Sequence, residues 1–581
     1  MMPLNHPEPV ARPGRPLVIW SIAGQDSAGG AGLSADQRAA DALGVHLCPV
    51  VSAVTAQHSQ GVEAVFPLPA DQLEHQLQAL SSDLPPRAIK TGLLGSVAAI
   101  ELVARWIDHE RARAPAGVDP HEHLALVVDP VLGASAGGAA FSDDAIVAAY
   151  RTRLLPRATV LTPNRAEACR LLGWPAPHDV PTDALPGMAR ALREQGARSV
   201  VITGGDDLAP PDAPASAHCL DWMETPQARG WLTAPRVPTR HTHGTGCTFA
   251  SAVAAAWSHG HAEADAIVLA KMLVHHALVR AHRAGQGPGP VMAHADFGLG
   301  TGTGGAPLPW LGLGEALPWR LQLDGCAELQ TPLFQPFRPP NDGLYGIVAD
   351  SLSLRDALQA GWRCLQLRHK APQGLMPHLQ ESLAQCQAHE ARLFVNDHWR
   401  ETLTALERAP QPGTVGVHLG QEDLLSLDTA DHTALLAARH RIMLGLSSHS
   451  LWEFARAAGC GASLIACGPV QPTTTKDMPW HPQGPDNLSW WVQHSPVPVV
   501  AIGGLLTPKD VATTAACRPA AVCIVRGMGH NLAEMLTRRP ALQRAWQHGH
   551  QSPRLPPTRL PHPCLPEHTR ASTEIRGWRP G

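Results

Sequence analysis

The chain alternates short apolar runs with longer, helix-length amphipathic stretches, and this alternation falls into two separate blocks. In the first block, residues 17–295, most of the apolar runs end in Gly, Asp or Pro. The clearest of these runs are residues 17–23, 88–91, 126–129, 159–162 and 199–203. Buried strands that alternate with helices predict a largely parallel sheet with helices on both faces.

The second block, residues 341–540, has a different count of apolar runs. Strand-like runs fall near 344–348, 364–367, 392–395, 415–418, 442–446, 463–467, 498–502 and 521–525. Eight strands separated by helix-length intervals predict a compact (β/α)8 barrel. In both kinds of α/β domain, ligands bind beyond the carboxyl ends of the strands.

Three stretches break this alternation. Residues 1–16 are polar and proline-rich, and residues 541–581 are rich in Pro, Arg and His, so both are predicted to be disordered. Residues 296–340 contain a Gly-Thr-Gly-Thr-Gly-Gly run and several prolines. This composition predicts a linker or an irregular interdomain wrap.

Composition narrows the class of protein. The chain has 581 residues, too many for one core, and 44% of them are hydrophobic, as in an ordinary globular protein. No apolar run approaches a membrane span, and the N-terminus lacks a secretory segment. The net charge of −4 argues against a nucleic-acid partner. Twelve cysteines without close pairing favour a reducing cytoplasm.

Lysine is scarce, which draws attention to the lysines that remain. Lys+Arg total 46, but the lysines are only Lys90, Lys271, Lys370, Lys476 and Lys509. Where arginine replaces most lysines, a retained lysine favours a place that needs a compact point charge. We expect Lys271 and Lys509 to be surface residues, and the other three to be candidates for function.

Two loops of the first block suit phosphoryl transfer. The Gly-rich run 24–32 follows the first strand, and His243-Gly244-Thr245-Gly246-Cys247 precedes an alanine-rich predicted helix. Glycines before a helix let backbone N–H groups close on an anion, and the helix N-terminus adds a positive partial charge. The same partial charge favours a thiolate at Cys247, which suggests a proton-accepting role.

Polar residues follow the other strands of the first block. Asp36 lies beyond the Gly-rich run, Asp129 ends one strand, and Asn164 with Glu167 follows another. Their shared place at the carboxyl ends would let them hold a magnesium–ATP complex, directly or through water.

The first block resembles the ribokinase-like hydroxymethylpyrimidine kinase/phosphomethylpyrimidine kinase family over about residues 17–292. The matching motifs are Gly29-Gly30-Ala31-Gly32, Thr55-Ala56-Gln57, Lys90-Thr91-Gly92, Asp129-Pro130-Val131, Thr162-Pro163-Asn164 and residues 243–247. The resemblance implies that Gln57, Asp36 and Gly24 bind the aminopyrimidine. It also implies that Asn164, Glu167, Gly244, Thr245 and Gly246 bind ATP or phosphate, and that Cys247 is catalytic. This chain departs from the family at His58, at Ser135-Ala136 and at Thr203, where lysine often stands.

In the second block, polar residues cluster directly after the predicted strands. They include two cations, two acids and several hydroxyls, distributed over six loops at one predicted barrel mouth: Gln366, Arg368, Lys370, Asn396, Asp397, the run 418–423, Ser447, the run Thr473-Thr474-Thr475-Lys476, and Gly503-Gly504. Such a set suits magnesium together with a diphosphate.

This pattern resembles thiamine-phosphate synthase over about residues 343–530. The resemblance implies that Asp397 and Asp423 bind Mg²⁺. It implies that the pyrimidine diphosphate is held by Gln366, Arg368, Lys370, Asn396, Ser447 and Lys476. It places the thiazole phosphate at Thr473, Thr474, Thr475, Gly503, Gly504, Val525 and Arg526. Arg526 departs from the family, which commonly has serine there.

Together the two resemblances imply a cytoplasmic fusion enzyme of thiamine biosynthesis. The first domain would phosphorylate hydroxymethylpyrimidine twice with ATP, and the barrel would couple the diphosphate to thiazole phosphate. The expected partners are small molecules, with Mg²⁺ as cofactor and neither nucleic acid nor membrane, and a homo-oligomer is compatible with the sequence. One alternative is a pyridoxal-type kinase fused to a thiazole tautomerase. Another is that one half is a non-catalytic, ligand-binding regulatory module.

Overall fold

The computed structural model describes residues 16–133, 142–175, 180–205, 217–322, 332–370, 374–407, 414–473 and 479–566. Within these ranges the chain forms one open sheet followed by one closed barrel. No helix among these residues is both long and apolar enough to cross a membrane.

The open sheet has ten described strands in the order β10-β9-β8-β7-β6-β5-β4-β1-β2-β3. The strands are β1 (Val18–Gln25), β2 (His46–His58), β3 (Gly61–Pro67), β4 (Ala88–Thr91), β5 (Ala125–Val128), β6 (Val160–Leu161), β7 (Ser199–Ile202), β8 (His218–Glu224), β9 (Arg229–Pro235) and β10 (Trp310–Leu311). The central strands are parallel, as predicted, and the two edges are extended by antiparallel strands that the apolar pattern did not predict. We call this part, with its helices, the sheet domain.

The helices of the sheet domain lie on both faces of the sheet. They are α1 (Gly32–Ala42), α2 (Ala70–Asp83), α3 (Val97–Arg111), α4 (Pro120–His123), α5 (Asp144–Ala149), α6 (Arg165–Leu172), α7 (Leu185–Glu194), α8 (Thr245–Ser258) and α9 (Glu263–Val279). Helix α8 is buried along nearly its whole length because it is almost entirely apolar and lies between α1, α9 and the sheet.

The second half is a closed barrel of eight parallel strands, as predicted. The strands are β11 (Leu344–Val348), β12 (Cys364–Leu367), β13 (Arg392–Asn396), β14 (Val415–Leu419), β15 (Met443–Ser448), β16 (Leu464–Cys467), β17 (Val499–Ile502) and β18 (Ala521–Ile524). The helices of this half are α10 (Trp319–Gln322), α11 (Ser351–Gln359), α12 (Leu375–Ala388), α13 (Trp399–Glu407), α14 (Gln421–Leu425), α15 (Thr429–Ala437), α16 (Leu451–Gly459), α17 (Gly484–His494), α18 (Pro508–Ala516) and α19 (Leu532–Gln551).

The segment 296–322 is built into both domains, which fits the irregular interdomain wrap rather than the linker among the two predicted alternatives. Strand β10 pairs antiparallel with β9 and adds an edge to the open sheet. Shortly after it, Trp319 is fully buried, and Arg320 Nε donates to the Ala458 carbonyl oxygen at the end of α16, 2.8 Å away. The segment therefore joins the two domains through backbone pairing on one side and buried side chains on the other.

The prediction of a disordered tail from residue 541 is wrong for residues 541–566. Helix α19 continues to Gln551, and the chain then runs back along the barrel, where Cys564 and Leu565 are buried. Two apolar anchors thus hold a segment whose Pro- and Arg-rich composition alone predicts disorder. Residues 567–581 and 1–15 lie outside the described residues.

Lys271 is not the surface residue that the sequence led us to expect. Its ammonium lies 2.7 Å from the Asp221 carboxylate, and the residue is buried. The pair connects α9 to β8 across the interior of the sheet domain.

Candidate active sites

The first candidate site lies at the carboxyl ends of the parallel strands of the sheet domain. Helix α8 begins here, with Gly244 in the left-handed region at φ 88°. A side chain at this glycine would lie 2.2 Å from the Gly30 carbonyl oxygen, so glycine allows the two predicted loops to touch. The first-turn N–H groups of Gly246 and Cys247 have no acceptor within the helix and are available to an anion.

The Gly-rich loop is organised around one carboxylate. Asp26 accepts hydrogen bonds from the N–H groups of Ala28, Gly30 and Ala31 at 2.8–2.9 Å. Its Oδ2 also lies 2.9 Å from His243 Nε2. Burial by itself would raise the pKa of Asp26, but the hydrogen bonds from His243 and the backbone lower it below its usual value. Several N–H groups of this loop therefore bind the protein's own carboxylate.

Gln57, predicted to bind the aminopyrimidine, lies beside this loop. Its Nε2 is 3.2 Å from His243 Nε2, and its backbone N–H donates to Ser27 Oγ at 2.9 Å. The neighbouring His58 is exposed in the turn between β2 and β3, where its Nδ1 accepts from the Gln60 N–H.

A buried charge cluster lies beneath Cys247. Lys90 Nζ is 3.1 Å from both carboxylate oxygens of Asp36 and 3.6 Å from Asp129 Oδ2. Ser21 and Ser251 donate to Asp36 at 2.6 and 2.8 Å, and the side chains of Asp36 and Lys90 are inaccessible to solvent. Asp36 is therefore enclosed, and the expectation that it contacts the pyrimidine needs correction: its carboxylate holds Lys90.

The protonation state of Cys247 also differs from expectation. Burial is the main cause that raises the pKa of the Cys247 thiol to about 12, and the carboxylates of Asp129 and Asp36 add to it, although Lys90 opposes the shift. Cys247 hydrogen-bonds Asp129, whose own pKa is raised by burial. At neutral pH Cys247 is therefore a thiol, because lost hydration and nearby carboxylates outweigh the partial charge of the helix N-terminus.

The other predicted residues of this site have local structural roles. Asn164 Oδ1 accepts from the Glu167 N–H, and Glu167 Oε2 accepts from the Asn164 N–H, both at 2.9 Å. This reciprocal pair caps helix α6. The Thr203 N–H donates to the Pro163 carbonyl oxygen, and Gly24 is buried within β1. Ser135 and Ala136 lie outside the described residues.

The second candidate site is a cavity of about 1030 Å³ at the mouth of the barrel. Among the described residues, each residue predicted for the barrel site lines this cavity except Lys370. The predicted residues in the lining are Gln366, Arg368, Asn396, Asp397, Asp423, Ser447, Thr473, Gly503, Gly504, Val525 and Arg526. Thr474, Thr475 and Lys476 lie outside the described residues.

A chain of hydrogen bonds fixes the polar floor of this cavity. Tyr345 Oη donates to Gln366 Oε1 at 2.9 Å, and Gln366 Nε2 donates to Asn396 Oδ1 at 2.7 Å. His418 Nε2 lies 3.0 Å from Ser447 Oγ, and burial lowers the pKa of His418 to about 4. The imidazole is therefore neutral at physiological pH. Tyr345 was missed at the level of sequence because it lies inside the predicted strand β11 rather than after it.

The two predicted metal ligands are a carboxylate pair. Asp397 and Asp423 share a hydrogen bond, and burial together with the charge of Asp423 raises the pKa of Asp397 to about 6. Asp397 has a backbone φ of 65°, a left-handed conformation that costs free energy in a residue with a side chain. Asp423 Oδ2 also accepts from the Gly420 N–H at 3.0 Å. Among the described residues, no group of three or more His, Cys, Asp or Glu is arranged around a metal position.

The loop after β17 approaches the loop after β16 closely. Gly503 has φ 100°, and a side chain there would lie 2.6 Å from Pro469 Cα. Glycine is therefore required where these two walls of the cavity touch. Residues of the sheet domain complete the rim: the turn between β8 and β9 contributes Gln227 and Arg229, and Leu313 follows β10.

An open α/β sheet with a loop–helix anion site, followed by a barrel with a polar mouth, defines a two-domain transferase. Two family models match in the same order: phosphomethylpyrimidine kinase over residues 26–292 and thiamine monophosphate synthase over residues 347–528. The chain is similar to the thiamine biosynthetic bifunctional enzyme TH1, chloroplastic, of Arabidopsis thaliana, with 30% identity covering 84% of each chain.

Two further matches concern the first half. A hydroxymethylpyrimidine/phosphomethylpyrimidine kinase of Streptomyces coelicolor is 39% identical and matches over 48% of this chain and 95% of its own. A solved pyridoxal kinase of Staphylococcus aureus has 28% identity and a TM-score of 0.41, with 48% of this chain and 93% of that chain covered. The chain belongs to the family of bifunctional thiamine biosynthetic enzymes, in which a pyrimidine kinase domain is joined to a thiamine-phosphate synthase domain. The alternative of a pyridoxal-type kinase fused to a tautomerase is not favoured.

Proposed function

We propose that the sheet domain phosphorylates 4-amino-5-hydroxymethyl-2-methylpyrimidine twice with ATP, and that the barrel couples the diphosphate to thiazole phosphate. The observation that carries this proposal is the barrel cavity, which gathers the carboxylate pair, Arg368 and the Gln366–Asn396 amides in one chamber. Such a set suits an aminopyrimidine diphosphate because amides recognise the ring while a cation faces the phosphates.

In the sheet domain, each step forms a new P–O bond at the substrate oxygen and breaks the bond between the γ-phosphoryl group and ADP. The first-turn N–H groups of Gly246 and Cys247 would bind the transferred phosphoryl group, and Gln57 would hydrogen-bond the aminopyrimidine. Cys247 would act as a thiol that orients the acceptor oxygen, because its raised pKa makes it a poor base at neutral pH.

In the barrel, the C–O bond to the diphosphate breaks and the thiazole nitrogen forms a C–N bond to the same carbon, which gives thiamine phosphate and pyrophosphate. Arg368 would stabilise the negative charge that develops on the leaving group. The loops of Thr473 and of Gly503-Gly504 would hold the thiazole phosphate, with Arg526 at the rim.

The pair Asp397 and Asp423 supports a Mg²⁺ site. The two carboxylates are in hydrogen-bond contact, and burial together with the charge of Asp423 raises the pKa of Asp397 to about 6, so they form an oxygen donor set at which a bound cation would be favourable. Bound Mg²⁺ would neutralise part of the charge of the diphosphate. We further propose a reducing compartment such as the cytoplasm, because the eleven described cysteines are all free thiols.

Two single substitutions in the full chain test this assignment. We expect Cys247→Ala to lower diphosphate formation about 100-fold or more and to leave coupling of supplied diphosphate unchanged. Asp397→Asn should instead lower coupling of supplied diphosphate and leave diphosphate formation unchanged. Asparagine tolerates the left-handed backbone of this position, so the loop should keep its conformation. ATP consumption and pyrophosphate release, measured separately, check both results. Loss of both activities in either variant would contradict the division of labour.

A further inference from the structure

Beyond α19, the described part of the chain returns to the barrel next to one wall of the cavity. Residues 561–565, which we call the C-terminal clamp, lie beside the connection from β16 to α17. The His481 N–H donates to the Cys564 carbonyl oxygen at 2.9 Å. Asn487 makes a reciprocal pair with His562: its Nδ2 donates to the His562 carbonyl oxygen at 3.2 Å, and its Oδ1 accepts from the His562 N–H at 2.8 Å.

One buried glutamine connects the clamp to the cavity wall. Gln483 is 1% exposed, and its Oε1 accepts from Asn487 Nδ2 at 2.9 Å and from the Cys564 thiol at 3.6 Å. Its carbonyl oxygen accepts from His562 Nε2 at 2.8 Å. Its own N–H donates to the Pro469 carbonyl oxygen at 2.7 Å, and its Nε2 donates to the carbonyl oxygens of His449 at 3.1 Å and His481 at 3.4 Å.

Both residues that Gln483 holds belong to walls of the cavity. Pro469 lines it on the loop after β16, four residues before Thr473, and His449 lines it two residues after Ser447. Pro469 also lies against Gly503, so the position of the loop after β16 restricts the position of the loop after β17. The clamp therefore acts on the loops that the proposed function assigns to the thiazole phosphate, while none of its residues lines the cavity.

We propose that the C-terminal clamp is a positioning element of the synthase site, which sets the loops after β15 and β16 through Gln483 and so sets the affinity for a phosphorylated thiazole. This inference rests on the proposed function of the barrel. A segment needed only to cover apolar surface could attach through Cys564 and Leu565 alone. The clamp instead directs most of its hydrogen bonds to Gln483 and its partner Asn487, and a fully bonded buried network fixes one orientation of the groups it joins.

The test uses full-length protein with His562→Ala, which removes the bond to the Gln483 carbonyl oxygen. We expect KM for the thiazole phosphate to rise about 5–10-fold, the cost of one hydrogen bond. We expect kcat and KM for the pyrimidine diphosphate to stay within about twofold, as a positioning role on one subsite requires. His562→Gln keeps a donor on the side chain and should recover part of the lost affinity. His550→Ala, at an exposed position of helix α19 outside the clamp, is the matched control and should leave both KM values and kcat unchanged.

The outcomes separate the inference from the proposed function. Wild-type protein that releases no pyrophosphate from the two substrates would overturn the proposed function. If the wild type couples the two substrates but His562→Ala leaves KM for the thiazole phosphate unchanged, the proposed role of the clamp is wrong. It is also wrong if His562→Ala impairs both KM values and kcat to the same degree, because a general loss of stability would have that effect. Kinase turnover of the same chain reports whether the variant is folded. If His562→Ala fails to fold, Cys564→Ala removes the thiol contacts with Gln483 and with the His562 carbonyl oxygen, and an unchanged thiazole-phosphate KM in that variant would count against the clamp.

Discussion

At the residue scale, buried charge decides what the side chains of the kinase site can do. Lys90 is enclosed by Asp36 and Asp129, and burial raises the pKa of Cys247 although Lys90 beneath it acts in the opposite direction. Breaking a buried ion pair by removing one partner costs about 3–5 kcal/mol, so these residues serve the site by holding the floor beneath the thiol. Cys247 is then the residue that the proposed function places against the acceptor oxygen.

A serine in place of Cys247 separates a positioning role from a basic one. A hydroxyl donates a hydrogen bond as a thiol does, but it is an even weaker acid. We expect Cys247→Ser to keep kinase kcat within about tenfold of wild type, whereas Cys247→Ala loses about 100-fold or more. Initial rates of ATP consumption at pH 7–9 give the comparison. A wild-type rate that rises steeply with pH, together with a serine variant as inactive as the alanine variant, would establish the thiolate as the base.

Only part of the structure of the two candidate sites could be predicted from the sequence. The chemistry that follows each strand was predictable, because strand ends in parallel sheets gather at one edge, and most barrel-mouth residues do line one cavity. The burial of Asp36 was not, because this residue of helix α1 is enclosed with Lys90, which lies on strand β4, 54 residues further along the chain. Tyr345 was missed for a similar reason: its partner Gln366 is on the neighbouring strand.

At the element scale, helix α16 is one of the contacts between the two domains. This helix is buried along its whole length. At its N-terminus, the side chain of Asp265, from α9 of the sheet domain, accepts a hydrogen bond from the Trp452 N–H at 3.0 Å. A carboxylate at a helix N-terminus is favourable for the helix dipole, but burial raises the pKa of Asp265 to about 8. The helix follows Ser447 by a few residues, so this contact also supports a wall of the cavity.

This raised pKa predicts a pH-dependent stability. Asp265 binds its proton more tightly in the folded protein than in the unfolded chain, so its contribution is full below the usual carboxyl pKa of 3.8 and is lost as pH rises from there through about 8. We expect Asp265→Asn, which keeps an acceptor oxygen for Trp452, to have a Tm closer to wild type at pH 6 than at pH 9, where the variant should be the more stable protein. Thermal unfolding at both pH values checks this, and a Tm difference that does not change with pH would exclude the titration.

The antiparallel edges of the sheet show where strand prediction failed. Strands β2, β3, β8 and β9 carry polar and half-exposed positions, so they lack the continuous apolar run that marks a buried parallel strand. The clamp was missed because two buried residues, Cys564 and Leu565, anchor an otherwise polar segment.

At the scale of the whole molecule, the two sites lie at opposite ends of the parallel strands of the open sheet. Cys247 lies at the carboxyl ends of the parallel strands. The turn between β8 and β9 lies at the amino ends of these strands, because Glu224 at the end of β8 pairs with Val200 near the start of β7. This turn is the part of the sheet domain that lines the barrel cavity. Helix α8, with 14 residues, spans about 20 Å between the two ends.

This arrangement predicts that the diphosphate passes through solvent between the sites. We expect labelled diphosphate made from labelled hydroxymethylpyrimidine and ATP to be diluted fully by an excess of unlabelled diphosphate before it enters thiamine phosphate. The specific radioactivity of the product measures this. Label that resists dilution would show direct transfer and would contradict the separation of the two sites.

Strand β10 bears on how the two activities could be separated. It covers β9, and an uncovered strand edge offers backbone groups to which another chain can add, which promotes aggregation. The same stretch carries Trp319 and Arg320 into the barrel half. A cut anywhere in 296–322 therefore leaves either a sheet with an open edge or a barrel with uncovered apolar surface. The fusion has turned a connection between two enzymes into a structural part that both of them share.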